Sequence, residues 1–506
     1  MPGVRVSTAV RTGPVGAGDI VAGQFFVVGR AERGPVDAPM LLRSFSDYST
    51  YFGNYASNNL YAHVKTYFDE GGTRCYVQRV VKTGGTQEPA KASVELEDSA
   101  SDPAIAFTAA NVGAWANGAA GGLKVQIVAP DNAGFKVKVF LNDVLILTTR
   151  DLVDVADAVN VVNSSGVSHL IEAAVVDDLT PAVNANPVSL SGGLDGDAVD
   201  NATIAAALAT DTTVISANLG TGSIAAPGFT GSVVWEALRD HAAAFNRIAI
   251  CSFAANANAA TAKSGAAAYY GDAKASYMAF YWPFIKVDTP SVTAFVYGSA
   301  GSTGSTITIA PDAYAAAARS RAVQEAGGPW RAGAGQISAA RAIRGLESDV
   351  TPATGDALDN ARVNAIRTIG SSIRVYGARS VSNDEANWRY ITMRDTLNYI
   401  TVGIEERMER YVFETIDGRG GLFGRIRGSI KAFLEPIRIA GGLYEAFDDT
   451  GALVDPGYSV VVDSSINPAS QLATGLVKAQ VGVRVSGVAD LIEIVVTKSN
   501  LSAPII

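Results

Sequence analysis

Three kinds of residue in this chain could carry out chemistry: histidines, a glycine- and serine-rich loop, and a short run of aspartates. The three histidines, His63, His169 and His241, lie in separate predicted segments, and none stands beside a nucleophile motif. An imidazole moves a proton only within hydrogen-bonding distance of the reacting group. The sequence favours packed or solvated roles for His63 and His241, which fall on predicted helices.

The glycine- and serine-rich loop, "GSAGSTGST" at residues 298–306, superficially resembles a phosphate cradle or a nucleophile turn. It lacks the lysine of a phosphate-binding loop, and no glycine anywhere in the chain is followed by lysine. It also lacks the strand, serine and helix setting that a nucleophile turn requires. The loop is therefore predicted to be a flexible surface segment.

The aspartates Asp195, Asp197 and Asp200 in "DGDAVD" imitate the start of a calcium-binding loop. Val199 occupies a position that needs an oxygen ligand, and the glycine and distal glutamate of such a loop are misplaced. A polar turn is the better interpretation. The sequence thus predicts no metal, no cofactor and no enzymatic activity, and the enzymatic alternative that stays open is a hydrolase built on an α/β core.

The composition describes a globular chain that does not bind nucleic acid directly. Its 506 residues carry 40 basic and 49 acidic side chains, a net charge of -9, whereas phosphate binding requires an excess of clustered positive charge. The length predicts about three domains, at roughly 150 residues each. Cys75 and Cys251 lie in short apolar runs typical of buried, reduced thiols.

The chain has no predicted membrane segment. No apolar run approaches the length that a bilayer-spanning helix needs, and the first residues lack the charged and hydrophobic regions of a signal peptide. We therefore expect folding in a cytoplasm without membrane insertion.

Charge divides the chain into regions. Residues 91–200 contain 15 acidic and 5 basic side chains, whereas the remainder contains 34 acidic and 35 basic ones. Within this acidic segment, strand patterns such as "LKVQIVA" and "FKVKVFLNDVLILTT" surround one short helix candidate, "LVDVADAVNVV". Breaker-rich stretches bound the segment on both sides. We interpret it as an inserted β-rich domain whose self-repelling surface faces water.

The regions on either side of the insertion alternate strands with helices. Predicted strands include "GQFFVVGRA", "TRCYVQRVV" and "RIAICSF"; predicted helices include "LYAHVKTYFDEGG", "VVWEALRDHAAAFN" and "PDAYAAAARSRAVQEAGG". Such alternation is typical of an α/β domain. The sequence therefore predicts a split α/β core over residues 25–90 and 201–375.

A C-terminal α+β domain is predicted over residues 376–489, and its helices carry clear apolar stripes. In the second of two helices the inward positions are Leu422, Ile426, Ile430 and Phe433. In the first, the stripe at steps of three and four predicts five buried residues, namely Leu397, Ile400, Ile404, Met408 and Tyr411.

The second of these helices is basic on its other side. Residues 416–431 contain four basic side chains and one acid, Asp417. A solvated face is the default interpretation, and a docking surface for an acidic partner is the alternative. The basic residues are Arg419, Arg425, Arg427 and Lys431.

Both ends of the chain have the two-residue alternation of β-strands. Two further strands, "YSVVVD" and "LVKAQVGVRVS", would form a small sheet with open edges, which are templates for another strand. Either the chain's own ends complete this sheet, or the ends are donated to neighbouring copies; the glycine-rich stretch 11–23 favours donation. The donated arms would be residues 1–24 and 490–506, and the pairing residues Val4, Val6, Thr8, Val10, Ile492, Ile494 and Val496.

Several stretches together resemble the contractile tail sheath proteins of bacteriophages and related bacterial injection machines. The most specific are "VVGRAERGPVDAPMLLRSFSDYSTYFG" (27–53) and "FDEGGTRCYVQRV" (68–80), and the order of motifs is also similar. The sequence departs from the family pattern at Arg5, Ala116, Gly333 and Thr415-Ile416. The other motifs are "PGVRV", "GAWANG", "LSGGLDGD", "GPWRAGAG", "VYGARS", "NWRYITMRDTLNYI" and "YVFE".

The resemblance implies a structural role. Sheath subunits form hexameric rings stacked helically around a tail tube, joined by terminal arms that add strands to adjacent subunits, and contraction drives the tube through the target envelope. Expected partners are other copies, the tail tube protein, and baseplate and tail terminator proteins. The implied location is a virion assembled in the host cytoplasm, with a bacteriocin or bacterial injection system as the alternative. Arg425, Arg427 and Lys431 are the expected tube-facing residues, and the acidic insertion would face outward.

Overall fold

A computed structural model of the chain describes residues 21–54, 59–209, 219–290 and 306–490. The first strand, "QFFVVG", is buried on both faces, as expected of a strand inside a parallel sheet covered by helices. The elements of this first region are β1 (Gln24–Gly29), β2 (Met40–Leu42), α1 (Phe45–Phe52), α2 (Tyr61–Asp69) and β3 (Cys75–Arg79).

The acidic segment folds into two antiparallel sheets with a core of its own. Every buried residue of that core lies between Ala92 and Leu190. The longer strands alternate between buried and half-buried positions because each sheet has one face on the core and one toward solvent. The elements are β4 (Ser93–Glu97), β5 (Pro103–Ala109), β6 (Leu123–Val128), β7 (Lys136–Leu141), β8 (Val144–Thr148), α3 (Val155–Asn163), β9 (Ile171–Val175) and β10 (Val188–Ser189). The strand orders are β4-β5-β9 and β10-β6-β7-β8.

The chain then returns to alternating strands and helices. The elements are α4 (Asn201–Leu208), β11 (Gly222–Ala225), α5 (Ser232–Ala244), β12 (Ile248–Ser252), α6 (Ala259–Ala267), β13 (Met278–Trp282), β14 (Ile285–Asp288), β15 (Thr306–Ile309), α7 (Asp312–Ala326), β16 (Gly345–Leu346), α8 (Pro352–Asn360), β17 (Val363–Ile369) and β18 (Ser372–Tyr376). Three of these strands form a separate antiparallel sheet in the order β15-β14-β16.

One eight-stranded sheet unites strands from before and after the acidic segment. Its order is β18-β17-β13-β12-β11-β1-β3-β2, parallel from β17 to β3, with an antiparallel strand at each edge. Phe25 and Val27 of β1 face a layer that contains α1, α2 and α7, whereas Phe26 and Val28 face α4, α5, α6 and α8. Mixed α/β architecture is therefore confirmed.

A C-terminal unit, defined here as residues 377–490, follows the large sheet. Its two long helices pack on a small two-stranded sheet and share a fourth apolar core. No helix in the described ranges is long and apolar enough to cross a membrane. The elements are α9 (Glu385–Trp388), α10 (Ile391–Met408), α11 (Gly421–Ile439), β19 (Ala446–Phe447), β20 (Leu453–Asp455), β21 (Tyr458–Val461), α12 (Ala469–Leu472) and β22 (Gln480–Val483).

The stripe predicted on α10 is only partly buried, whereas the stripe on α11 is buried at all four predicted positions. Of the five predicted stripe positions only Ile400 is buried, and Leu397 lies outside the fourth apolar core. The reason is that α10 turns a second, polar face toward the α/β layers. The half-buried members are Leu397, Ile404, Met408 and Tyr411, and the buried polar residues are Thr392, Asp395, Thr396 and Asn398.

Helix α7 is buried over its first eleven residues, and the carboxyl of Asp312 is buried with it. That carboxyl accepts a hydrogen bond from the Ser252 hydroxyl at 3.1 Å, at the end of β12. Burial raises the pKa of Asp312 to about 7, although the Ser252 hydrogen bond works in the opposite direction. Between pH 4 and pH 7 the folded protein therefore holds a proton that the unfolded chain has lost.

Replacing Asp312 with asparagine tests this assignment. At Asp312 the folded state binds more protons than the unfolded chain, so the contribution of this group to the free energy of unfolding falls as the pH rises toward 7. Asparagine does not titrate. We therefore expect the free energy of unfolding of Asp312→Asn, relative to that of the parent, to increase by about 2 kcal/mol from pH 5 to pH 8. The measurement is urea unfolding at both pH values.

Asp200→Asn is the matched control. Hydrogen bonding to Lys82 lowers the pKa of Asp200, so this carboxyl is ionised in folded and unfolded chains throughout that pH range. Its effect on stability should be the same at pH 5 and pH 8. An equal pH response of the two variants would show that Asp312 is ionised in the folded protein.

Candidate assembly surface

Within the described ranges, large exposed apolar side chains occur mainly in two regions: the C-terminal unit has eight and the acidic segment has seven. Phe413 is 96% exposed and Val454 is 67% exposed. Where exposed apolar side chains lie together, as Phe447 and Leu453 do across a strand pair, they mark a candidate site of interaction. Within the described ranges, the exposed large apolar residues of this unit are Val412, Phe413, Ile439, Tyr444, Phe447, Leu453, Val454 and Leu476.

A groove of about 610 Å³ runs between α10 and α11, and we call it the aromatic groove. Trp330, Tyr399 and Phe433 line it, with ring centroids 6.4 Å apart for the first pair and 5.9 Å for the second. On the α11 side the wall contains two small residues, Ser429 and Ala432. The Phe433 ring is buried, and the rings of Trp330 and Tyr399 are half-buried. The size of the groove is within the range of about 300–1,000 Å³ that ligand-binding clefts occupy.

Three arginines give the aromatic groove a positive rim: Arg407, Arg410 and Arg425. The Arg407 guanidinium lies 4.1 Å from the ring centre of Phe433, a cation–π contact. Arg425 forms an ion pair with Glu414. Arg407 and Arg410 have no acidic partner in the described part of the chain, so the groove carries uncompensated positive charge.

The three basic residues expected to face a tube do not share one face of α11. A helix turns by about 100° per residue, so Arg427 and Lys431 lie about 40° apart, while Arg425 lies about 160° from Arg427. Arg425 lines the aromatic groove, whereas the other two are exposed on the far side of α11. The structure therefore groups Arg427 with Lys431 and separates Arg425.

Asp417, the one acid in residues 416–431, forms hydrogen bonds with backbone N–H groups at the start of α11. Asp417 accepts backbone hydrogen bonds from Gly421 and Arg419, both at 2.9 Å, and from Leu422 at 3.2 Å. These bonds, with that from Gly421 the largest contribution, lower the pKa of Asp417. Because the carboxylate satisfies helix N–H groups, it does not neutralise the basic side chains farther along.

The small sheet of β21 and β22 retains free edges in the described residues. The two strands pair over four positions, and β22 is followed by a bridge from Val485 to Leu443. The strand β22 is shorter than the alternation in 476–486 predicts. The residues expected to pair at these edges (Val4, Val6, Thr8, Val10, Ile492, Ile494 and Val496) lie outside the described residues.

A buried ion pair fixes the C-terminal unit on the α/β layers. Arg319 of α7 contacts Asp395 of α10 at 2.5 Å and also hydrogen-bonds the Ser223 hydroxyl of β11. Both ionic side chains are more than nine-tenths buried. Burial raises the pKa of Asp395, while the Arg319 charge acts in the opposite direction. A Cβ on Gly333 would lie 2.7 Å from the Arg319 backbone nitrogen, so glycine permits this close approach.

Sequence reasoning missed this ion pair because its partners are 76 residues apart. The signal that could have found half of it is the polar side of α10, where Asp395 and Asn398 recur at helical spacing opposite the apolar stripe. Asn398 also reaches the α/β layers, since its amide donates to the Arg247 carbonyl oxygen at 3.3 Å.

The three histidine side chains are packed against neighbouring residues. Burial lowers the pKa of His63 to about 4. His241 is buried between the Leu208 carbonyl oxygen at 3.2 Å and the Arg247 guanidinium at 2.8 Å; burial and then the Arg247 charge lower its pKa to about 3. Both rings are therefore neutral at pH 7. His169 packs edge-on against Tyr51.

The aspartates of "DGDAVD" accept hydrogen bonds from backbone N–H groups of other segments or of a helix start. Asp195 accepts from Ala114 at 2.9 Å, Asp197 from Thr86 at 2.6 Å, and Asp200 caps α4 through Thr203 at 2.8 Å. No group of three or more metal-ligating side chains occurs within the described ranges. Residues 298–305 of the glycine- and serine-rich loop lie outside them.

The carboxyl end of β1, where doubly wound sheets commonly bind ligands, is occupied by structural hydrogen bonds. Arg79 at the end of β3 is buried and donates to the carbonyl oxygens of Ala31 at 3.2 Å, Gly34 at 3.0 Å and Val112 at 3.0 Å. Its guanidinium thereby ties the loop after β1 to the acidic segment. The two cysteines, Cys75 and Cys251, are buried and free.

Comparison with solved structures identifies the fold. The sheath tail protein from Listeria innocua is 13% identical, with a TM-score of 0.60 over 89% of this chain and 90% of that one. A chain of the anti-feeding prophage baseplate in the contracted state is 16% identical, with a TM-score of 0.59 over 98% of both chains.

A further similar structure comes from an extracellular contractile injection system, the PVC sheath complex in its contracted state. It is 16% identical, with a TM-score of 0.53 over 98% of this chain and 99% of that one. No protein-family model matches the sequence, and no curated protein matches it significantly. The predicted resemblance to contractile sheath proteins is thus confirmed at the level of the fold.

The Arg319–Asp395 pair generates a stability prediction. Asp395→Asn removes the negative partner and leaves the Arg319 charge buried, so we expect a loss of about 3–5 kcal/mol in the free energy of unfolding. Glu405→Gln, an exposed change on the same helix, is the control and should alter stability by less than about 0.5 kcal/mol. Denaturant unfolding measures the stability of both variants. Equal effects would contradict a stabilising role for the Arg319–Asp395 ion pair.

Proposed function

We propose that this chain, which has the fold of contractile sheath proteins, is the structural subunit of a contractile tail sheath. Copies would stack as hexameric rings around an inner tail tube, and contraction would drive the tube through the envelope of a target cell. The observation that carries the proposal is the likeness to sheath structures over 98% of the chain. Baseplate and tail terminator proteins would bind the two ends of the polymer.

We assign each region a place in the sheath. Residues 25–90 and 201–375 would form the split α/β core, residues 91–200 the outer domain, and residues 376–489 the tube-facing domain. One observation supports this layout: the acidic segment has an apolar core of its own, as an inserted domain requires. A net-acidic outer domain would repel its counterparts on other copies and keep assembled particles soluble.

The terminal arms, residues 1–24 and 490–506, would add strands to the β21–β22 sheets of adjacent copies. The free edges of that small sheet support this role, because unpaired backbone N–H and C=O groups bind an incoming strand. Such a mesh would hold subunits together while they rotate and slide during contraction.

Tube contact is assigned to Arg427 and Lys431, and Arg425 is assigned to the aromatic groove. The first two are exposed on the solvent side of α11 and are suited to an acidic tube surface. Exposed ion pairs contribute about 0–1 kcal/mol each, so they can guide assembly and still break when the sheath expands. The extended sheath would be kinetically trapped above the contracted one.

We infer a non-enzymatic role, with an α/β hydrolase as the remote alternative. The neutral buried histidines and the hydrogen-bonded crevice beside β1 support a structural role. The sheath could belong to a bacteriophage virion, assembled in the host cytoplasm, or to a bacterial injection system or bacteriocin. The PVC likeness supports the second, and neighbouring capsid and terminase genes would discriminate between them.

Deleting either terminal arm tests the proposed strand donation between copies. The purified protein should polymerise into tubes visible by electron microscopy, whereas chains lacking residues 1–12 or 490–506 should stay folded, as judged by circular dichroism, without polymerising. Val153→Ser, an exposed change in the acidic segment, is the control and should polymerise normally. Normal tubes from either truncated chain would refute strand donation.

Reversing the charges of Arg427 and Lys431 together to glutamate tests the tube contact. Sheaths should still polymerise but should no longer match the length of preformed tubes of the cognate tube protein, because the guiding contacts are lost. Reversal of Lys263 and Lys286 in the α/β core controls for net charge. Tube-matched sheath lengths in the Arg427 and Lys431 variant would remove these residues from the tube contact.

A further inference from the structure

A protruding hairpin follows α11, and we call residues 444–455 the acidic hairpin. It contains β19 and β20 and carries four acidic side chains with no basic one. Its large apolar side chains are exposed in the folded chain and are interspersed with the acids. The acids are Glu445, Asp448, Asp449 and Asp455, and the exposed apolar residues are Tyr444, Phe447, Leu453 and Val454.

The acidic hairpin is held in shape without any partner. Asp448 accepts backbone hydrogen bonds from Thr450 at 2.9 Å and Ala452 at 2.8 Å, which fixes the turn. Phe447 pairs with Leu453 across the ribbon, so their side chains lie on one face. A surface that is ordered before binding loses little conformational entropy on docking. The exposed rings and carboxylates are therefore presented as a preformed surface.

Charge at the hairpin is partly neutralised at its base and free at its tip. Glu445 is paired with Arg438, and Asp455 with Arg484 at 2.9 Å. Asp449 is exposed at the turn and has no basic partner in the described part of the chain. The tip thus carries uncompensated negative charge, and exposed apolar side chains stand behind it.

The aromatic groove has the complementary properties. The half-buried rings of Trp330 and Tyr399 line it beside small residues, and its uncompensated charges, on Arg407 and Arg410, are positive. Groove and hairpin are both open to solvent in one folded chain, so they do not satisfy each other within it. Two different complementary surfaces on each copy give a head-to-tail contact, which closes into a ring or continues as a helix.

We propose that the acidic hairpin of one copy docks into the aromatic groove of the next copy. Phe447 and Leu453 pack on the groove wall that Trp330 and Tyr399 form, and Asp449 meets Arg410 at the rim. This contact names one interface of the proposed polymer, and it rests on the proposed self-assembly. It is separate from strand donation, because it uses side chains of ordered elements and not the backbone edges of β21 and β22.

Charge argues for another copy's hairpin over the chain's own ends as the occupant. Residues 1–20 contain two arginines and one aspartate, and residues 491–506 contain one glutamate and one lysine, so neither end is acidic. The acidic hairpin, in contrast, has four acids and no base. Among these segments only the hairpin offers the negative charge that two unpaired arginines attract.

Thiol cross-linking between two single-substituted chains tests the contact. One chain carries Asp449→Cys at the hairpin tip and the other carries Ser429→Cys in the groove wall. Native thiols do not interfere, because both cysteines are buried. The chains, distinguished by a size tag, are co-assembled and treated with a short bis-maleimide. We expect a heterodimer band at least ten times stronger than in polymers of either chain alone.

The matched control replaces Ser429→Cys with Ser264→Cys, an exposed serine on α6, which should yield no heterodimer above background. Polymers that form without the Asp449–Ser429 heterodimer overturn the contact and leave the sheath proposal standing. Absence of polymers from the parent protein contradicts the sheath proposal and the contact together. Cross-linking of Ser429→Cys to a tube protein and not to the hairpin also overturns the contact.

Charge exchange provides a second readout. Arg410→Asp and Asp449→Arg should each raise the protein concentration needed for polymerisation several-fold, and their combination should restore the parent value. Both side chains are exposed and outside the apolar cores, so folding should be unchanged. Additive defects in the combined variant would contradict the pairing.

Discussion

The proposed assembly depends on the large apolar side chains that the C-terminal unit leaves exposed to solvent. Eight large apolar side chains of the unit are exposed within the described ranges, including Phe413 at 96%. Burying such a side chain stabilises an assembly by about 1.5–3 kcal/mol, so several of them supply a substantial driving force for association. The exposed ion pairs nearby are weak by comparison and contribute mainly orientation.

The α/β layers act as the platform that gives these surfaces fixed directions. The eight-stranded sheet is covered on both faces, and α7 is buried between it and the C-terminal unit. Arg319 and Asp395 then join α7 to α10 in a site from which water is excluded. Because a buried pair is costly to separate, α10, which contributes to the aromatic groove, is held in place on the α/β layers. Interfaces built on such a rigid base can be exchanged for one another without unfolding the subunit.

Local periodicity allowed much of the fold to be predicted. The alternation of strands and helices around residues 25–90 and 201–375 indicated the α/β architecture, and the apolar spacing of α11 identified its four buried positions. The stripe on α10 was predicted less well, because Asp395 and its polar neighbours are buried by a distant helix. No pattern within one segment reports a contact to Arg319, 76 residues away. The aromatic groove was missed for the same reason, since Trp330, Tyr399 and Phe433 come from three separate elements.

The central claim is that each copy completes the C-terminal unit of another, and a helical reconstruction of the assembled polymer by electron cryo-microscopy tests it most directly. We expect density from a neighbouring copy in the aromatic groove and additional strands alongside β21 and β22, so that Phe447 and Leu453 lose their exposure. A map in which the C-terminal units of adjacent copies do not touch, with the groove open to solvent, would contradict the account.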